Sequence, residues 1–163
     1  MEFQQSVNVV RQAYPAWKAM SRVYGRAGEL YLLNTLSCQR CGVIDWEEAE
    51  VNAPCYDITC RQCLQKVQIK CGKKSLKQLE NMKNRGYFTI PSAKYEKCLL
   101  AKHSSVDYVY LFYSPTMLFE PKLFYQKHEV IRESDVWKRR LPMKNRPNYY
   151  LSDLYVHDWS EVV

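Results

Sequence analysis

The sequence predicts a single α/β domain, and three observations carry that prediction. The first third of the chain has helical apolar periodicity, Lys66 to Cys71 alternates strictly between polar and apolar residues, and Asp107 to Tyr113 is a β-rich aromatic run. At 163 residues there is enough chain for one real core, so one domain over residues 1–163 is expected. In chain order, residues 4–14 form a first helix and residues 16–35 a longer one with Trp17, Met20, Val23, Tyr24, Leu30 and Leu33 among its apolar members. Gly25 and Gly28 make that second helix imperfect. A cysteine-rich segment at 38–63 follows. Residues 55–59 and 66–71 pair as two strands, placing Gln68 and Lys70 on one face and Val67, Ile69 and Cys71 on the other. A helix from Ser92 over 92–102 has Tyr95, Cys98, Leu99 and Ala101 on or near one face. The run at 107–113 is a buried strand. A short helix begins at Pro121, His128 to Ile131 forms a further strand, and the basic tail is irregular. There is no internal repeat, low-complexity tract or obvious linker.

The composition, 47% hydrophobic and 25% charged, is that of a folded chain. The N-terminal residues Met-Glu-Phe-Gln-Gln lack the basic and apolar regions of a secretory leader, and no stretch approaches the length of a membrane span. An intracellular, cytoplasmic protein without a membrane partner is expected, nucleoid-associated if the source is bacterial. A formal charge of +7 favours a polyanionic partner. The positive residues cluster. Lys66, Lys70, Lys73, Lys74 and Lys77 follow the cysteines, and Lys138, Arg139, Arg140, Lys144 and Arg146 gather near the end. Short charge runs are commonly just solvated faces; the first cluster stands out because it abuts the chemistry described next.

Cys38-Gln-Arg-Cys41 and Cys60-Arg-Gln-Cys63 have the spacing of a four-thiolate zinc site. Paired CxxC motifs also serve redox chemistry, but two pairs at ribbon spacing favour structural zinc. Four thiolates close the tetrahedron and leave no position for a reacting water. Seven cysteines, four of them with metal-like spacing, fit a reducing compartment better than a disulfide framework. Cys71 and Cys98 read as buried packing residues, while Cys55 is a competing ligand without a partner in the pattern.

The second cysteine pair lies between Asp57 and Gln68-Ile-Lys70. Closing the two strands through Cys60 to Cys63 brings Asp57 towards Gln68 and Lys70. A carboxylate such as Asp57 binds a hard divalent cation, a neighbouring carbonyl oxygen adds a ligand, and Lys70 stabilises developing charge or orients a water. An ordinary half-exposed hairpin has the same short pattern. Glu29, on the second helix, either completes a metal site or is a solvated carboxylate. His103, His128 and His157 have no ligand spacing, and neither a phosphate-binding glycine loop nor a nucleophile elbow is present.

On Glu29, Cys38-Gln-Arg-Cys41-Gly42, Asp57-Ile-Thr-Cys60-Arg-Gln-Cys63 and Gln68-Ile-Lys70 with the lysine pair after it, the segment 29–74 resembles the catalytic domain of DpnI-type methyl-directed restriction endonucleases. These are zinc-containing members of the PD-(D/E)xK nuclease superfamily. The similarity continues more weakly through 92–102, Tyr108 to Tyr113 and Trp137 onward. The resemblance implies a restriction-endonuclease-like mixed sheet flanked by helices, with an inserted zinc knuckle held by Cys38, Cys41, Cys60 and Cys63. It implies catalytic roles for Asp57 and Lys70, and Glu29 as the acid that often completes the metal site. Gln68 stands where the family has an acidic residue, which removes one negative charge; a natural variant and a deliberate Glu→Gln change look alike in this respect. The winged-helix module that accompanies the catalytic domain in that family is not expected here, and recognition of methylated adenine is not carried over.

The expected function is metal-dependent hydrolysis of DNA, with Zn2+ structural and Mg2+ or Mn2+ bound at Asp57 and Gln68. Lys73, Lys74, Lys77, Lys138, Arg139, Arg140, Lys144 and Arg146 would hold phosphates. RNA is a further possible substrate, and a homodimer or a separate recognition subunit would serve double-strand cleavage. The alternatives are a DNA-binding or assembly subunit on the same scaffold, weakened by Gln68, and a zinc-ribbon module for protein interaction.

Overall fold

The computed structural model describes residues 1–50, 53, 55–85, 89–91, 105–114, 116, 120–133, 140–143, 146–150 and 160–162. Helix α1 spans Phe3–Ala13 and α2 spans Met20–Thr35. Strand β1 is Trp46–Glu48, β2 Ile58–Cys60 and β3 Lys66–Lys73, followed by helix α3 at Leu76–Arg85 and strand β4 at Thr89–Pro91. Beyond them lie β5 (Val106–Tyr113), β6 (Lys122–Gln126), helix α4 (His128–Glu133), β7 (Arg140–Met143), β8 (Arg146–Tyr150) and β9 (Ser160–Val162). A six-stranded sheet has the order β1-β2-β3-β5-β6-β9, and β4-β8-β7 form a separate three-stranded sheet. The large sheet is mixed: β3 and β5 are parallel, and every other neighbouring pair is antiparallel.

The core follows from the alternation. Val67 and Ile69 of β3 lie beside Val109 and Leu111 of β5, with Leu123 and Tyr125 of β6 completing the same buried cluster. Helices α1 and α2 bring Phe3, Val7, Val10, Val23, Ala27 and Leu32 to it. At one end the Tyr24 and Tyr113 rings stack at 4.5 Å, and the edge of Phe3 meets Tyr31 at 5.7 Å. The neighbouring β5 positions Tyr108, Tyr110 and Phe112 are also buried, which is why this strand lacks the polar alternation of a half-exposed one.

Gly28 of α2 lies close against Cys71 of β3. A Cβ on Gly28 would lie 2.0 Å from the Cys71 Sγ. Gly28→Ala is therefore expected to cost about 1–3 kcal/mol by overpacking. Adding Cys71→Ala should recover most of that loss, since the Cys71 Cβ itself is 3.6 Å away. Urea unfolding of the two singles and the double checks this; equal stability of Gly28→Ala and the parent chain would remove the close approach.

Several expected elements differ. The second helix starts at Met20 rather than 16, because Tyr14 to Trp17 form a turn closed by the Trp17 N–H on the Tyr14 carbonyl. The strand placed at 55–59 is Ile58–Cys60, and Asp57 lies just before it. The helix expected from Pro121 is instead β6, whose pairing with the buried β5 outweighs the local proline signal. The strand expected at His128 to Ile131 is helix α4; its His128 N–H is held by the Asp107 carboxylate at 2.8 Å. In the basic tail, β7 and β8 form a hairpin in which Pro142 and Pro147 face one another, so their missing N–H groups fall at one place in the ladder. The helix expected at 92–102 lies outside the described residues. Helix α3, not anticipated, is opened by a reciprocal cap: Ser75 Oγ accepts the Gln78 N–H, and Gln78 Oε1 accepts the Ser75 N–H.

Candidate metal centre and acidic site

Two backbone turns of the same design build the cysteine cluster. In the first, the Gly42 N–H reaches the Cys38 carbonyl at 2.7 Å and the Cys38 N–H reaches the Val43 carbonyl at 2.8 Å. In the second, Leu64 N–H reaches the Cys60 carbonyl at 2.9 Å and Cys60 N–H reaches the Gln65 carbonyl at 2.8 Å. Each turn needs a left-handed residue after its second cysteine, and these are Gly42 at φ 77° and Leu64 at φ 61°. Leu64 is 71% exposed, so it packs against little. Gly42→Leu is accordingly expected to lose about 1 kcal/mol, whereas Leu64→Gly should be neutral or slightly stabilising. Urea titrations would show the asymmetry, and a stability gain for Gly42→Leu would contradict it.

The turns bring all four Sγ atoms within 4.8 Å of one another, with Cys38 to Cys63 at 3.5 Å and Cys41 to Cys60 at 3.6 Å. Four sulfurs bound tetrahedrally at ~2.3 Å from one ion would lie about 3.8 Å apart, so the cluster fits a metal. Burial pushes the Cys38 thiol up to about 12 and raises Cys60, while the Val43 N–H helps to hold Cys41 below the ordinary thiol value. Binding a metal here therefore expels thiol protons. Cys55, the competing ligand, is disulfide-bonded and has no thiol to offer. That bond runs against the expectation that these cysteines fit a reducing compartment better than a disulfide framework.

The cluster caps the β2–β3 hairpin, and the hairpin organises the acidic residues. Ile58 is opposite Val67, and the Asp57 N–H bonds the Val67 carbonyl at 2.9 Å. The Asp57 carboxylate turns back across the strand, accepting the Ile69 N–H at 2.6 Å and the Gln68 side-chain amide. Gln68 is buried, and Lys70, two residues along β3, is half-buried. From the other side α2 supplies Glu29. Its carboxyl is raised above the usual range, first by burial and then by the negative charge of Asp57, against the opposing hydrogen bond from Arg26. The charges of Glu29, Asp57 and Lys70 all act on the Cys71 thiol, which burial pushes up to about 12. Of the four residues singled out from the sequence, Asp57 and Gln68 are hydrogen-bonded, Glu29 is near enough to Asp57 to feel its charge, and Lys70 follows two residues after Gln68 on β3.

Arg26 and Glu48 belong to this site and escaped the sequence reading. Arg26 spans Glu29 at 2.9 Å and Glu48 at 2.7 Å. Burial pulls its pKa down, but the bonds to Glu48 and Glu29 more than offset this and hold it above its ordinary value. The Arg26 and Glu29 spacing was legible as an i,i+3 pair. Glu48 was not, because its approach depends on the pairing of β1 with β2.

Among the described residues, the cysteine cluster is the one group of three or more His, Cys, Asp or Glu side chains close enough to share an ion. Lys73 and Lys77 are exposed, Lys74 is half-buried, and all three lie at the junction of β3 and α3. Arg140 opens β7 and Arg146 opens β8, in the separate sheet. Lys138, Arg139 and Lys144 lie outside the described residues, as do His103 and His157. No helix among the described residues is long and apolar enough to cross a membrane. Fold and site together define a mixed α/β protein with a four-cysteine cluster able to hold a metal ion. No protein-family model and no curated protein matches the chain.

Proposed function

We propose that the chain is a divalent-metal-dependent endodeoxyribonuclease of the PD-(D/E)xK type, with structural zinc on Cys38, Cys41, Cys60 and Cys63. The observation that carries this reading is the Asp57 carboxylate folded back onto Gln68 and Ile69 of β3, with Lys70 on the same strand and Glu29 of α2 near enough to feel the Asp57 charge. Bound magnesium or manganese would supply the Lewis acidity that polarises a phosphodiester. Asp57 is the anionic ligand. Gln68 is a neutral one once its amide turns to present Oε1 in place of the Nε2 now donated to Asp57. Lys70 orients the attacking water, and Glu29 adds negative charge beside Asp57. Lys73, Lys74 and Lys77 hold phosphates next to the N-terminus of α3, whose first turn contains no acidic residue.

A second reading, a binding or assembly subunit on the same scaffold, is favoured by the bond from Gln68 to Asp57 and by the Arg26 guanidinium between Glu29 and Glu48. Both satisfy acidic groups without a cation. The deciding experiment is cleavage of supercoiled plasmid, adenine-methylated and unmethylated, with magnesium or manganese, comparing this chain with Asp57→Asn and Gln68→Glu.

A further inference from the structure

The turn between α1 and α2 is a charged aromatic platform that the acidic site does not use. From Phe3 to Gly28 the chain contains Arg11, Lys18, Arg22 and Arg26 and no Asp or Glu. Arg11, Lys18 and Arg22 are exposed, and among the described residues none of them pairs with an acidic group. Within this turn the rings of Tyr14 and Trp17 stack at 4.2 Å with their planes 15° apart, and the Arg22 guanidinium lies over Trp17 at 4.4 Å. Trp17 packs against the core, which accounts for its position. Tyr14 is 40% exposed, and core packing does not account for it.

We infer that this turn binds a nucleic-acid strand, stacking an unpaired base on the Tyr14 ring while Arg11 and Lys18 hold flanking phosphates. Base stacking on an exposed aromatic tolerates any base, and cations beside it track the backbone. The inference deepens the nuclease reading and rests on it for the choice of partner. Arg22, Arg26 and Glu29 follow one another at i, i+4 and i+7 along α2, so the platform and the acidic site share one helix face. Arg22 and Glu29 are seven residues apart, about 10 Å along the axis. A strand seated on the platform is thereby led towards Asp57.

The test is fluorescence anisotropy of labelled single-stranded oligonucleotides with the full chain and no added magnesium or manganese, so that binding is read apart from cleavage. Tyr14→Ala should weaken binding about tenfold and Tyr14→Phe should leave it unchanged, in keeping with the worth of one stacked base. An oligonucleotide of abasic sites should bind the parent chain more weakly and no longer distinguish Tyr14→Ala. Arg11→Gln and Lys18→Gln should each reduce the salt slope by about 0.7. Equal affinity of the parent chain and Tyr14→Ala, or indifference to the abasic strand, would overturn the platform. So would binding only to anionic lipid vesicles, with no oligonucleotide bound. None of these outcomes depends on whether Asp57 supports cleavage, so the nuclease reading stands or falls separately in the plasmid assay.

Discussion

Cys38→Ser and Cys60→Ser are expected to abolish tight metal binding and to leave the chain largely unfolded at 37 °C. Both cysteines are buried within the hydrophobic cluster, Cys60 closes strand β2, and the turns they anchor precede β1 and β3. Structural zinc sites have apparent binding free energies of about 10–16 kcal/mol in small peptides, against total stabilities of roughly 5–15 kcal/mol for whole domains. Losing one ligand thus removes stabilisation comparable to what holds the domain together. Cys41 is exposed, so Cys41→Ser should lose metal with a smaller penalty from packing. Metal content per chain, measured by elemental analysis, and circular-dichroism melting with and without a chelator give the readout. A metal-free parent chain whose melting ignores the chelator would overturn the zinc site.

Asp57→Asn is expected to abolish plasmid cleavage while keeping the fold. Asparagine retains an oxygen for the Ile69 N–H, which bonds Asp57 at 2.6 Å, so the β2–β3 hairpin survives. Alanine would instead strand that donor, at about 1–3 kcal/mol, and confuse stability with chemistry. Lys70→Ala should lower the rate about 100- to 1000-fold, the usual effect of removing one group that stabilises transition-state charge. Gln68→Glu places a second carboxylate against Asp57, a pair that repels itself until a cation arrives. Its cleavage should therefore rise and need less magnesium than the parent chain. Cutting by the parent that vanishes in Asp57→Asn establishes the enzyme. Cutting by Gln68→Glu alone identifies an intact scaffold silenced at one ligand. No cutting by any version, with DNA still bound, moves the conclusion to the binding subunit.

Features set by short-range pattern were legible before any coordinates. The first helix, the start of β3 at Lys66, the buried strand ending at Tyr113 and the four-cysteine cluster all follow from periodicity or fixed spacing. Apolar side chains at period 3.6 or 2 select their own backbone, and CxxC turns pre-arrange their thiols. The segments misread were those whose backbone answers to a distant partner. Lys122–Gln126 begins beside a proline that suits a helix, yet it is a strand because β5 offers it a ladder. His128–Glu133 contains the β-branched residues of a strand, yet the Asp107 carboxylate captures its first N–H and the chain coils.

The same division runs through the candidate site. Asp57, Gln68 and Lys70 were nameable because they lie on one hairpin closed by the second cysteine pair. The nearness of Asp57 to Glu29, and the clamp of Arg26 between Glu29 and Glu48, depend on α2 packing against β3 and on β1 pairing with β2. Sequence by itself determined the four-cysteine cluster able to hold a metal, the alternating strand and the positive charge, since each is a property of neighbours along the chain. Only the tertiary structure decided the sheet order, the nearness of Glu29 to Asp57 and the bridging of Glu29 and Glu48 by Arg26. Contacts between segments far apart in sequence are selected by the free energy of burying whole faces, which no local pattern encodes.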